Sequence, residues 1–146
     1  MVMKILFISA TFPPRKFGGV TAVSYNLAKG LAKRRNDITV YTTDINDRCS
    51  RIPNIKGIKR MDNRINVHYF KNLSNWLAFN RLYLPVGFVR MVRKNLKNFD
   101  IIHLHDFRGF QAVVVRYYAK KYGVPYVLQA HGSLITYLQK GAVKKI

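Results

Sequence analysis

Apolar residues fall along this chain in two rhythms, unbroken runs of about six and stretches where they return every third or fourth position. Residues 3–9, MKILFIS, make the first unbroken run. That is the pattern of a strand covered on both faces in a parallel sheet. After two prolines and two glycines, Val20, Val23, Leu27 and Leu31 recur at helical spacing. A helix is therefore expected to bury that stripe and to end in Lys33, Arg34 and Arg35, cations that suit its C-terminal dipole. Asn36 reads as a left-handed cap before a second strand at residues 37–43, DITVYTT.

Residues 44–64 show no period and carry Pro53 and Gly57, which marks an excursion over the surface. Residues 65–70, INVHYF, alternate as a third strand. Pro85 then stands near the start of a helix with Leu84, Phe88, Met91, Val92 and Leu96 on one face and Arg90, Arg93, Lys94 and Lys97 on the others. A fourth strand at residues 100–105, DIIHLH, leads through Asp106 into a helix expected to bury Phe110, Val113, Val114 and Tyr117 and to be capped by Gly123. Residues 125–130, PYVLQA, form a fifth strand, and Ser133 is placed to cap a short helix through Gln139. Strands alternating with helices predict an α/β fold: an open doubly wound parallel sheet, Rossmann-like, ordered 3-2-1-4-5, in one domain over residues 1–146.

Charge changes the picture. Lys and Arg number 26 against six acids, all of them Asp, for a net charge of +20. Such a balance calls for anionic partners and says nothing of the fold. The single Cys49 excludes an internal disulfide and fits a reducing compartment. The apolar run at the start is too short for a signal peptide, and no window reaches the length of a membrane span. A cytoplasmic place is expected, with peripheral attachment to the cytoplasmic face of a membrane as a second reading.

Ligands of open α/β sheets bind beyond the carboxyl ends of the strands, where strand order reverses. Three loops meet that rule, and they hold Gly18, Gly19, His105, Asp106, Arg108 and His131. The paired glycines joining a strand to a helix read either as a phosphate cradle or as a tight turn with no ligand; a full G-x-G-x-x-G fingerprint is absent. His103, in mid-strand, reads as a hydrogen-bonded core histidine. His105 and Asp106 face a ligand or cap the next helix. H-x-H at a strand end can present two imidazoles to an ion, but His68 and His131 alone remain to complete a ligand set and there is no Glu, so no metal site is assigned. His131, followed by glycine at a strand end, reads as functional. The basic face from Arg90 to Lys97, with Trp76, Phe79 and Tyr83 just ahead, is a membrane-surface element or a solvated face.

The stretches FPPRKFGGVTAVSYNLAKGLAKRRNDITVYTT, FDIIHLHD and GVPYVLQAHGSL, taken together and in this order, resemble the N-terminal half of a family 4 glycosyltransferase of GT-B architecture. The resemblance implies retaining transfer of a sugar from a nucleotide diphosphate sugar to a glycan or lipid-linked acceptor, with no cofactor or catalytic metal. It implies that Gly18, Gly19 and Gly132 hold the donor's diphosphate and sugar, that His131 stands beside the transferred sugar, and that His105, Asp106 and Arg108 line the acceptor side. It also implies a C-terminal nucleotide-sugar domain bearing a glutamate pair, E-x7-E, and this chain has no glutamate. The expectation is an apparently truncated N-terminal domain, inactive alone, whose missing C-terminal domain is a partner. A rival class is a basic α/β module for nucleic acid or an anionic membrane surface; nucleic acid is disfavoured, since no RNP motif, zinc finger or helix-turn-helix is recognisable.

Overall fold

The computed structural model describes residues 1–15, 18–47, 50–53, 55, 57–62, 64–80, 82–105 and 109–131. Its centre is β1 (Lys4–Ile8), paired in parallel with β2 (Asp37–Thr43) on one side and β5 (Ile101–Leu104) on the other. Beyond β2 lies β4 (Ile65–Phe70), beyond β5 lies β6 (Tyr126–Leu128), and both pairings are parallel. These five strands stand in the order the sequence predicts.

The sheet has a sixth strand that the pattern conceals. β3 (Ile58–Asp62) pairs antiparallel with β4 and closes that edge, so the full order is β3-β4-β2-β1-β5-β6. Residues 44–64 are therefore not a bare excursion. Ile45 and Ile52 are buried, Ile45 bridges Arg51, and the Asp44 carboxylate takes a hydrogen bond from Arg51 at 2.7 Å. An edge strand is buried on little of its surface, so it needs neither a long apolar run nor clean alternation to form.

Side chains alternate across β1 and divide the core in two. Ile5 and Phe7 face α1 (Gly19–Lys33), where Ala28 and Ala32 meet Ile38, Val40, Ile65 and Val67. Leu6 and Ile8 face α3 (Phe88–Asn95) and α4 (Phe110–Tyr122), where Phe88, Val92, Val115 and Ala119 close on Ile102 and Leu104. A 3-10 turn at Leu96–Asn98 extends α3 and buries Leu96 as expected.

On α1 and α4 the buried stripe is not the one predicted. α1 buries Thr21, Ser24, Ala28 and Ala32; Leu27 and Leu31 straddle the contact and Val23 is exposed. α4 buries Gln111, Ala112, Val115 and Ala119; of the predicted stripe Phe110 and Val114 pack against the edge of the core, and Val113 and Tyr117 stay outside. Close packing on a sheet sets the helix axis near the strands, so small side chains fill the seam and long ones are displaced to its flanks. Gly123 takes the left-handed conformation after α4 (φ 68°), but after α1 that conformation belongs to Arg35 (φ 66°), not Asn36. Asn36 seals the helix by its side chain instead, donating to the Leu31 carbonyl and accepting from the Met3 amide. The Ser133 helix lies outside the described residues.

Candidate functional site

The chain leaving β1 is pinned by hydroxyls before it reaches the glycines. Ser9 Oγ donates to the Thr11 carbonyl (2.8 Å), Thr43 Oγ1 to the Ala10 carbonyl (2.7 Å), and the Thr11 and Thr21 hydroxyls pair at 2.8 Å. Tyr69 adds a hydrogen bond from its hydroxyl to the Pro13 carbonyl, and Phe12 is buried edge-on against Tyr25. The strand end, residues 9–13 and the first turn of α1 are thus tied together.

Gly18 holds φ 111°, a conformation in which any side chain is strained. Gly19 is different: its backbone is helical, and a Cβ built there meets no atom within 4 Å. The fold therefore requires Gly18 and leaves open space at Gly19. The end of α1 has no side-chain cap and no acid in its first turn, and the same holds for α4, whose cap is Gly109. α2 (Asn75–Phe79) is capped by Ser74 in the ordinary way, whereas α3, also away from the switch point, shares the glycine cap, at Gly87, and the lack of acids. The two helices that follow the central strands thus present amide N–H groups and the positive ends of their dipoles with nothing supplied by their own caps.

Beside them stands a column of imidazoles on the α1 face of the sheet. His103, paired in register with Phe7, and His105, two residues on, both lean on the Phe7 ring at centroid distances of 5.1 and 5.0 Å. Their rings stack on each other at 4.4 Å, and His131 stacks on His105 at 5.4 Å. His105 Nδ1 and His131 Nε2 lie 3.2 Å apart, and His103 Nε2 donates to Gln129 Oε1 at 3.1 Å. The wall of β6 next to them is open, since Val127, the register partner of His103, is 48% exposed.

Burial, helped by the neighbouring imidazoles of His103 and His131, pushes His105 down to about 3. His103 is lowered as well, by burial first, against the opposing pull of Gln129. His105 is therefore a neutral ring near neutral pH. Its Nε2 is buried without a partner, and a bare lone pair is tolerated there better than an unpaired N–H. We therefore assign the His105 hydrogen to Nδ1, donating to His131 Nε2.

Of the residues singled out in the sequence, the fold brings Gly18, Gly19, His105 and His131 to the carboxyl edge of adjacent strands. Asp106, Arg108 and Gly132 lie outside the described residues. His103 is the hydrogen-bonded histidine expected, but it belongs to the column. Among the described residues no group of three or more His, Cys, Asp or Glu is arranged to hold a metal ion; the imidazoles stack instead of converging on a point. Arg15 escaped the sequence reading: its Nε and Nη1 are buried with no hydrogen-bond partner, in the loop before the glycines. The signal was present, a cation three residues ahead of a glycine pair. A groove of about 700 Å³ between α4 and β6 is lined by Val113, Arg116, Tyr117 and Tyr126 and by none of the site residues.

With that geometry in place, comparison with known families finds that the model of Glycosyltransferase Family 4 matches residues 17–145. No curated protein matches the chain.

Proposed function

The chain belongs to glycosyltransferase family 4, and from that premise we propose that it forms the acceptor-side domain of a retaining enzyme using a nucleotide diphosphate sugar. The observation that carries this reading is the juxtaposition at the switch point: two glycine-capped helix ends without acids, beside the buried His105 and its half-buried partner His131 on the same edge.

In this reading the diphosphate sits over Gly18 and Gly19, where the amides at the head of α1 donate to its oxygens and the open space at Gly19 admits them. Arg15, with two unpartnered nitrogens, supplies the charge for a phosphate oxygen, and a charge-assisted bond of this kind is stronger than one between neutral groups. Negative charge grows on the leaving diphosphate as the glycosidic bond breaks, so donors fixed beforehand favour the transition state over the ground state. His131 stands beside the transferred sugar, and His105 holds that ring in place. The family resemblance alone assigns Gly132 to the donor and Asp106 and Arg108 to the acceptor. No cofactor is required, because the leaving group is already activated. A second domain closes over the strand ends and binds the nucleotide.

The test is His131→Ala in the full-length enzyme, assayed for transfer over a panel of nucleotide sugars. Turnover is expected to fall about 100-fold or more, as for loss of one preorganised donor, with the unfolding midpoint little changed. Wild-type turnover in a folded variant overturns the assignment.

A further inference from the structure

On the face of the sheet opposite the imidazole column, α3 and α4 close over the central strands, and at the outer strands a pocket of about 440 Å³ remains. That volume falls within the roughly 300–1,000 Å³ of small-molecule sites. Strand alternation puts Thr39 and Tyr41 of β2 on its floor beside their register partners Asn66 and His68 of β4. Ile58 of β3, paired with His68 from the other side, forms the outer rim. The end of α3 and its 3-10 extension supply the remaining wall, with Met91, Asn95, Asn98 and Phe99.

The lining contains no Lys, Arg, Asp or Glu, in a chain whose net charge is +20. Burial lowers His68, and it pushes Tyr41 up to about 12 against a hydrogen bond with Asn95, so both side chains are neutral near pH 7. The His68 ring is fixed by contact with Phe70 at 4.3 Å and Tyr41 at 5.9 Å. Asn95 is committed within the wall, its Nδ2 donating to Met91 Sδ at 2.8 Å. Asn66, His68 and Asn98 differ: among the described residues no hydrogen bond engages their side chains.

We propose that this pocket binds one neutral sugar unit, held by the Asn66 and Asn98 amides and the His68 ring, with Met91 and Phe99 against its C–H surface. A sugar hydroxyl both donates and accepts, and a primary amide and a neutral imidazole match it in both respects. The rest of a sugar is C–H surface, which suits an aromatic ring and a thioether. A phosphorylated ligand would find no cation in the lining. Because the pocket stands level with the middle of β2 and β4, on the face away from His105, it is neither the donor nor the acceptor position of the reaction proposed above and does not rest on it. A glycan held here leaves the strand ends free.

Met91 is one of four methionines in the chain and lines the pocket, so its methyl signal reports on occupancy. The full-length protein, labelled with 13C at the methionine methyls, is titrated with glucose, galactose, mannose and N-acetylglucosamine, and with glycerol and uridine as controls. A saturable shift of the Met91 signal with at least one of the sugars is expected, with a dissociation constant on the order of 1 mM. Asn66→Ala with Asn98→Ala, both exposed, weakens that binding about tenfold or more while the unfolding midpoint holds. His68→Phe, which keeps a ring and removes its nitrogens, weakens it as well. An unmoved Met91 signal with all four sugars, an equal shift with glycerol, tighter binding of uridine, or undiminished affinity in the folded alanine variant overturns the proposal. So does displacement of the sugar by excess uridine diphosphate, which would put it at the strand ends. Sugar binding at Met91 by a protein that transfers no sugar upholds this site and overturns only the proposed reaction.

Discussion

Gly18 and Gly19 look equivalent in the sequence and are separated by two facts, a φ of 111° at the first and empty space around the second. Gly19→Ala should leave stability unchanged or raise it by up to about 1 kcal/mol, since alanine is the better helix former. It should weaken donor binding roughly 10- to 100-fold by standing where the diphosphate approaches, the scale of one charge-assisted hydrogen bond. Calorimetry on the full-length enzyme, run beside thermal unfolding, checks both halves, and unchanged donor affinity rejects the cradle. His105 makes a prediction in pH. Its folded value, about 3, lies below the ordinary histidine value, so the unfolded chain binds more protons throughout that window. The stabilisation is whole above about pH 6.5 and is lost as pH falls toward 3, and about 2 kcal/mol should go between pH 7 and pH 5. Denaturant midpoints at the two pH values measure it, and His105→Asn should lose much less over the same interval. His68 and His103, lowered by burial too, add in the same direction. The six carboxylates of the chain leave few competing sources of acid sensitivity.

The connection between β2 and β4 depends on Asp44. It is 8% exposed; one carboxylate oxygen accepts from Arg51 and the other from the Asn72 amide at 2.9 Å, tying the β2–β3 connection to the chain just after β4. Asp44→Ala leaves a buried amide unpaired and a guanidinium without its partner. A loss of about 2–3 kcal/mol is expected in chemical denaturation. Hydrogen exchange should show it concentrated at residues 50–53 and 71–73; uniform loss of protection would mean that Asp44 supports the whole sheet instead. The helices teach the complementary lesson. Their existence was legible from apolar spacing, but the buried stripe was assigned to the bulky residues, while the seam against the strands selects Ala28, Ala32, Ala112 and Ala119.

At the scale of the whole molecule, a net charge of +20 attracts any polyanion, and the proposed donor site occupies one wall of a cleft. The 146-residue chain alone should therefore bind nucleotide sugars and pyrophosphate with similar weak affinity, falling in parallel as salt rises. Saturable micromolar binding of one nucleotide sugar over pyrophosphate at physiological salt would place full donor recognition in this domain. No helix among the described residues is long and apolar enough to cross a membrane.

Much of this protein is determined by its sequence read locally. The five parallel strands, their order, the helix after the glycines and the convergence of Gly18, Gly19, His105 and His131 all follow from apolar runs, helical spacing and the rule that ligands lie beyond strand ends. These are local patterns joined by a topology with few alternatives. Other features exist only in three dimensions. β3 forms because β4 offers it an edge, whatever its own pattern. Which helix face is buried depends on how closely the helix approaches the sheet. The stacking of His103, His105 and His131 depends on β5 and β6 lying side by side in register, with residues 26 apart brought within hydrogen-bond reach. Low local dielectric then makes His105 a permanently neutral ring near pH 7. A linear pattern carries spacing, but burial and contact between distant residues are set only when the strands have paired.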